Sequence, residues 1–142
     1  MSHKIFEAPP PDPKGFTTGL ADAVLPEIAA LLDDLIENGN EGAIDLRSLP
    51  MTDADRDALR EKLGTGEVRA TLEVAGTSTV EETAIRGVWW IRHEAGEGQI
   101  ANEQIAITLL PDILRTHPDD LPQGRALLEE LLNPSEPEET DP

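Results

Sequence analysis

The chain has 142 residues, with no cysteine, no tyrosine, and only two phenylalanines and two tryptophans. Without thiols it offers no disulfide framework, no thiol nucleophile and no Cys ligand for zinc or an iron–sulfur cluster. Basic residues are also scarce, 11 against 29 carboxylates, for a formal net charge of −18. Nucleic acids and anionic membrane surfaces both need Lys and Arg to meet phosphate, so neither is expected as a partner. No apolar run approaches the ~20 residues of a bilayer span, so direct membrane insertion is not expected. The opening Met1-Ser2-His3-Lys4-Ile5-Phe6-Glu7 lacks the apolar region of a secretory signal. A cytoplasmic location is the expectation.

What is present is acidic and unevenly distributed. Residues 1–19 are rich in Pro and Gly, and residues 133–142 hold three prolines and four carboxylates. Neither end carries enough apolar surface to offset the entropy of ordering it. The expected organisation is a flexible Pro-rich segment 1–19, a single domain 20–132 and a disordered acidic tail 133–142. The charge keeps the protein soluble and would also attract a basic partner.

Helical spacing of Ile28, Leu31, Leu32, Leu35 and Ile36 predicts a helix over Leu25–Asn38, with Pro26 in its first turn and Asn38-Gly39 as a left-handed stop. Ala43–Arg47 alternates, with Ile44 and Leu46 facing one way and Asp45 and Arg47 the other. Thr52 followed by Asp55 is a capping-box variant that starts a second helix, with Leu59 and Leu63 inward, Asp53 at its positive end, and Gly64 or Gly66 as its stop. Period-two alternation marks Glu67–Val74 as a half-buried strand, turning at Gly76-Thr77-Ser78. A second long strand is read over Thr79–His93 and a third over Gln99–Leu110, with Ile105, Ile107 and Leu109 inward and Glu94–Gly98 as the turn between. Short helices from Pro111 and over Arg125–Leu132 close the chain. The expected class is α+β, a mainly antiparallel sheet of about four strands with helices on one face.

Trp89 and Trp90 are adjacent. On a strand, neighbours point to opposite faces. The register puts Ile85, Trp89 and Ile91 inward and leaves Trp90 beside Glu82, Arg86 and Arg92. An exposed Trp on an acidic surface would be a recognition anchor, so Trp90, Glu82, Arg86, Arg92 and Glu103 form the candidate partner-binding set. The competing arrangement packs both indoles, one under helices and one under a loop.

The inventory of reactive groups suggests no catalytic residue, metal ligand set or cofactor. Asp33-Asp34, Glu81-Glu82 and Glu129-Glu130 are sequence neighbours and diverge in direction, whereas acid–base pairs must converge. His3, His93 and His117 show no metal-ligand spacing, and His93 reads as solvated at a strand end. No serine sits in a nucleophile elbow. Gly64-Thr65-Gly66 and Gly96-Glu97-Gly98 are too short to cradle phosphate and read as turns.

An ordered set of segments carries a resemblance. Ala43-Ile44-Asp45-Leu46-Arg47-Ser48-Leu49-Pro50 is followed by Leu63-Gly64-Thr65-Gly66-Glu67-Val68, then Glu82-Thr83, Gly87-Val88-Trp89-Trp90, and Glu103 and Ile107 before Pro111. Together they resemble the conserved region of the HupH/HyaF family of hydrogenase expression/formation proteins, with Asp45 to Pro50, Gly87, Trp89 and Trp90 as motif positions. The resemblance covers about Val24 to Arg115; family members are often longer than this chain. It implies a cytoplasmic chaperone-type accessory protein in maturation of nickel–iron uptake hydrogenase. The implied partners are the hydrogenase small-subunit precursor, possibly through its twin-arginine signal peptide, and other hydrogenase accessory proteins. Lacking Cys, the chain could protect or scaffold an iron–sulfur subunit but not ligate its clusters. Two other classes stay open: a small carboxylate-dependent enzyme, needing Asp45, Glu82 or Glu103 to converge, and a structural oligomer subunit with a self-complementary apolar face.

Overall fold

A computed structural model describes residues 15–73 and 75–135. Most of the Pro-rich segment, most of the acidic tail, and Val74 of the predicted first long strand lie outside the described residues. The chain divides into two units, Met1–Leu109 and Leu110–Pro142.

In the first unit, helix α1 spans Leu20–Asn38 and is stopped by Gly39 at φ 73°, which donates its N–H to the Leu35 carbonyl. The helix begins five residues before the predicted start, so Pro26 lies inside it rather than in its first turn. The apolar stripe is correspondingly longer: Ala21, Val24 and Ile28 are the buried residues, at helical spacing, and Leu31, Leu32 and Leu35 are half-buried. Ile36, expected inward, is 76% exposed. Strand β1 (Gly42–Asp45) leads into a single 3-10 turn over Leu46–Ser48. Helix α2 (Asp53–Leu63) starts at the predicted Thr52–Asp55 capping box and ends at Gly64, with Leu59 and Leu63 buried.

Strands β2 (Arg69–Glu73), β3 (Thr77–Glu82), β4 (Val88–Gly96) and β5 (Gln99–Ile107) complete an antiparallel sheet in the order β1-β5-β4-β3-β2. The class is the α+β arrangement expected, with five strands instead of about four. The extra strand comes from dividing the predicted Thr79–His93 run. Gly87 adopts φ 90°, a conformation L side chains resist. The Thr83 hydroxyl also donates to the Val88 carbonyl at 2.8 Å and accepts from the Ile85 N–H. A tight turn therefore occupies the middle of that run, and Ile85 sits in it, 41% exposed instead of inward. The turn before β3 is built at Ala75 and Gly76, both at positive φ, so Thr77 and Ser78 belong to the strand. Strand β4 runs on to Gly96, leaving the two-residue turn Glu97-Gly98 with φ 49° and 75°, the geometry that suits hairpin twist. Strand β5 ends at Ile107, and Leu109, expected inward, is 84% exposed.

Helices α1 and α2 supply the core that covers one sheet face. It joins Val24 and Ile28 to Ile44, Leu46, Leu59, Leu63, Val88, Ile105, Ile107 and Trp90. Trp89 points to the opposite face with Val80 and Ala106, and all three are buried. Both indoles are thus packed, and the expected exposed Trp90 is corrected: it is 2% exposed.

The second unit contains 3-10 turns over Asp112–Leu114 and Pro118–Asp120, followed by helix α3 (Leu121–Leu132).

Candidate functional site

The site begins with the way α2 is started. Asp55 accepts from the Thr18 N–H at 2.7 Å, the Thr18 hydroxyl at 2.6 Å and the Thr52 N–H at 3.1 Å, while its own N–H donates to the Thr52 hydroxyl. Burial would raise this carboxyl's pKa, but the hydrogen bonds from Thr18 and Thr52 outweigh it and hold the value at about 2. Locking residue 55 sets the phase of α2, and Arg56 and Arg60, one turn apart, reach the sheet from it.

The two arginines meet a cluster built on β3, β4 and β5. The Trp90 indole N–H donates to Glu103 Oε2 at 2.9 Å. Glu103 is 1% exposed, and its Oε1 lies 2.8 Å from Arg56 Nε, a charge contact out of hydrogen-bond alignment. Arg56 also pairs with Asp53 at 3.0 Å. Arg60 lies over the Trp90 ring, 4.3 Å from its centroid, and pairs with Glu81 Oε1 at 3.0 Å. Glu81 Oε2 meets Arg69 at 3.3 Å. The indole is therefore held at its N–H by a carboxylate and on its face by a guanidinium, a favourable pairing of cation with aromatic ring.

Two openings flank Arg60. A cavity of about 110 Å³ is lined by Arg60, Gly64, Thr65, Glu81, Glu82, Thr83 and Trp90. A cleft of about 270 Å³ is lined by Asp53, Arg56, Asp57, Arg60, Arg92, Ile100 and Glu103. A third, of about 190 Å³, runs between Gly66-Glu67 and the turn that carries Arg86, with Glu82 in its wall.

These positions sort the predicted partner-binding set. Trp90 and Glu103 are in direct contact, but inside the protein. Arg92 is opposite Glu103 in the β4–β5 register, on the same face, and its side chain is partly exposed near Glu94 at 3.6 Å. Glu82 is paired with Trp89, so it belongs to the opposite sheet face, and its carboxylate accepts from the Glu67 N–H at 3.2 Å. Arg86 is exposed in the turn. Glu82 and Arg86 leave the Trp90 face because the turn at residues 83–87 breaks the alternation, while Arg92 and Glu103 stay on it beside an indole that is buried.

Among the motif positions, Asp45 accepts from the Arg47 N–H at 2.9 Å, and the Ser48 hydroxyl donates to the Asp45 carbonyl at 2.8 Å. Leu46 is fully buried, Leu49 is half-buried, and Arg47 and Pro50 are exposed. The segment is a self-capped corner that inserts Leu46 into the core. Trp89 donates its indole N–H to the Thr108 carbonyl at 3.1 Å. His93 is half-buried, not solvated: its Nδ1 lies 2.8 Å from the Ser78 hydroxyl on the neighbouring strand, a cross-strand pair of the kind that ties a sheet together. Sequence reasoning missed Arg56, Arg60 and Glu81. The usable signal was two arginines four apart, flanking the inward Leu59 of an amphipathic helix.

Among the described residues, no group of three or more His, Cys, Asp or Glu side chains is placed to hold a metal ion. Among the same residues, no helix is long and apolar enough to cross a membrane.

Residues 20–134 match the C-terminal conserved region of the HupH hydrogenase expression protein. The hydrogenase expression/formation protein HupQ of Azotobacter chroococcum mcd 1 is 32% identical over 95 residues, 56% of this chain and 33% of the relative. HoxQ of Azotobacter vinelandii, also a hydrogenase expression/formation protein, is 27% identical over 93 residues, with the same two shares. The chain thus spans about a third of the length of these relatives. The solved structure of the hydrogenase expression protein HupH from Thiobacillus denitrificans ATCC 25259 superposes with a TM-score of 0.79 at 38% identity, covering 82% of this chain and 98% of that one.

Proposed function

The chain belongs to the HupH hydrogenase expression protein family, and from that premise we propose that it is a chaperone-type accessory protein of hydrogenase maturation. It binds the hydrogenase small-subunit precursor in the cytoplasm before export and works alongside other hydrogenase accessory proteins. The family match over residues 20–134 carries this reading.

The geometry supports binding over turnover. The two carboxylates that flank Trp90 on its own sheet face are each committed to an arginine, Glu103 to Arg56 and Glu81 to Arg60, an arrangement that fixes a surface. The exterior that a client meets is acidic, with 29 carboxylates in the sequence. Such a surface draws in the basic start of a twin-arginine signal. With Trp90 buried, the contact moves to the rim residues Glu67, Glu82 and Arg86 along the cleft of about 190 Å³.

Co-purification of the full chain with the small-subunit precursor is the test. Association should slow with rising salt, because the screening length falls to about 8 Å at physiological ionic strength. Rates unaffected by both salt and replacement of the twin arginines would overturn the electrostatic reading, and a precursor that never co-purifies would overturn the client assignment.

A further inference from the structure

The sheet ends at β2, and among the described residues no strand pairs with the far edge of Arg69–Glu73. At the other end, β1 has four residues and runs straight into the 3-10 turn at Leu46. Shortness of that kind is one way a protein blunts an edge. Strand β2 has neither proline nor lysine, and its register with β3 runs without a bulge. The Glu82 N–H donates to the Val68 carbonyl at 2.9 Å, which turns Val68 toward β3. Backbone direction alternates along a strand, so Ala70 and Leu72 also face β3. Arg69, Thr71 and Glu73 then turn their N–H and C=O groups outward. Unpaired edge groups of this kind are a template for another strand.

The side chains identify the strand that fits. Arg69, Thr71 and Glu73 are exposed on the sheet face of Trp90, and Ala70 and Leu72 are half-buried on the face of Trp89. A second copy of β2, antiparallel about a two-fold axis at Thr71, sets Arg69 opposite Glu73 on both sides of the axis. The same register sets Ala70 opposite Leu72 on the other face. Outward-facing residues meet throughout, so each such pair can exchange both backbone bonds. Opposite charges and apolar pairs are the cross-strand contacts that stabilise a sheet, and self-complementarity is what a two-fold interface requires. Sliding by two residues sets Glu67 opposite Glu73 in one direction and leaves both charges without a partner in the other. Sliding by one turns the bonding groups apart. Arg69 meets Glu81 at 3.3 Å and is 69% exposed, so its guanidinium keeps donors for a carboxylate arriving from outside. The net charge of −18 opposes association in general, but the charges of Arg69 and Glu73 cancel along this edge. We propose that β2 is a self-pairing edge through which two copies of this chain join their sheets into one, with Thr71 on the axis and Arg69–Glu73 pairs on either side.

Sedimentation velocity of the full chain, from micromolar to millimolar concentration, is the test. The wild type should move from monomer toward dimer as concentration rises. Arg69→Glu leaves only carboxylates at the two charged positions, and Glu73→Arg only guanidiniums, so each should weaken self-association roughly tenfold or more. Mixing the two variants restores both opposite-charge pairs, and the mixture should form a heterodimer that neither variant makes alone. Thr71→Pro removes an outward N–H and should block pairing while leaving the bonds to β3. Melting curves show that each variant is folded, and if the proline disturbs the strand, the two charge variants still carry the test. A wild type that stays monomeric throughout overturns the proposal. So does a dimer indifferent to both charge reversals, or a mixture no more associated than its components. A monomeric wild type that captures the small-subunit precursor, with capture lost in Thr71→Pro, also overturns it and gives the edge to a partner's strand.

Discussion

The indole N–H of Trp90 donates to Glu103 at 2.9 Å, and both residues are almost wholly buried. A polar hydrogen bond under two helices is a strict arrangement, because each partner left alone would bear the desolvation of an unsatisfied group. Arg56 and Arg60 complete it from α2, so the sheet and the helix are tied at one place by both charge and packing.

Trp90→Ala should cost about 3–5 kcal/mol, the range for removing a buried aromatic. Trp90→Phe should cost less, retaining most of the ring contact while leaving Glu103 without its indole donor. Urea unfolding of the two variants measures the difference. A Trp90→Ala protein with an unchanged midpoint would contradict the burial of this ring.

The Arg56–Glu103 contact should be strongly non-additive. Glu103→Leu alone strands the indole N–H and leaves Arg56 with Asp53 only, at about 1–3 kcal/mol for a buried donor left unsatisfied. Arg56→Met/Glu103→Leu should be less destabilised than the sum of the single variants, with a coupling of about 0.5–3 kcal/mol. A double-mutant cycle in denaturant reads it directly, and simple additivity would mean the 2.8 Å approach carries no energy.

Asp55 should make stability depend on acid. Its pKa is lowered from 3.8 to about 2 on folding, so the native state binds fewer protons than the unfolded chain between those values. Its contribution is fully present above about 4 and is lost as pH falls through about 2. Denaturant midpoints measured from pH 7 to pH 2 should fall more steeply in the wild type than in Asp55→Asn. The variant should also be less stable at pH 7, where it loses the charge that Thr18 and Thr52 hold. Parallel pH profiles would remove Asp55 as the source.

Asp45 and Arg47 should behave unequally despite standing as a charged pair in sequence. The Asp45 carboxylate binds the backbone N–H of Arg47, not its guanidinium. Asp45→Ala should therefore cost about 0.5–1 kcal/mol through the lost cap, whereas Arg47→Ala should shift the melting temperature little. Equal losses would point to a side-chain ion pair instead.

Much of this was legible from the residues because local signals agreed with one another. Thr52 and Asp55 announce α2 through a capping mechanism that operates within four residues. Ala70 and Leu72 alternate with polar neighbours, and strand β2 formed there. The failures came where a local choice was decided by something distant. The divided strand depends on the Thr83 hydroxyl joining its own backbone N–H on the Val88 carbonyl and on Gly87 turning left-handed, and a long run of strand-forming residues hides both. That one miss shifted the parity of everything upstream of it, placing Glu82 and Arg86 beside Trp90 when Glu82 pairs with Trp89. The site around Trp90 needed three-dimensional knowledge of a different kind. Its arginines, Arg56 and Arg60, come from a helix 34 and 30 residues before Trp90 in sequence, and period-two reasoning along a strand cannot supply them.

The order of strands has a kinetic meaning. Strands β2 to β5 pair only with sequence neighbours, through short turns, whereas β1 must reach β5 across the whole of α2 and the meander, setting Gly42 opposite Ile107. Closing that loop of about 60 residues is entropically slow compared with closing a hairpin. The hairpins are therefore the natural first structures, with β1 and the helical cover arriving afterwards. On that order Trp90 and Glu103 would face water in a half-built sheet, and their pairing would gain its strength only when α2 covers them. A newly made chain closing in that order would expose an acidic, open-faced sheet before presenting a finished surface to any partner.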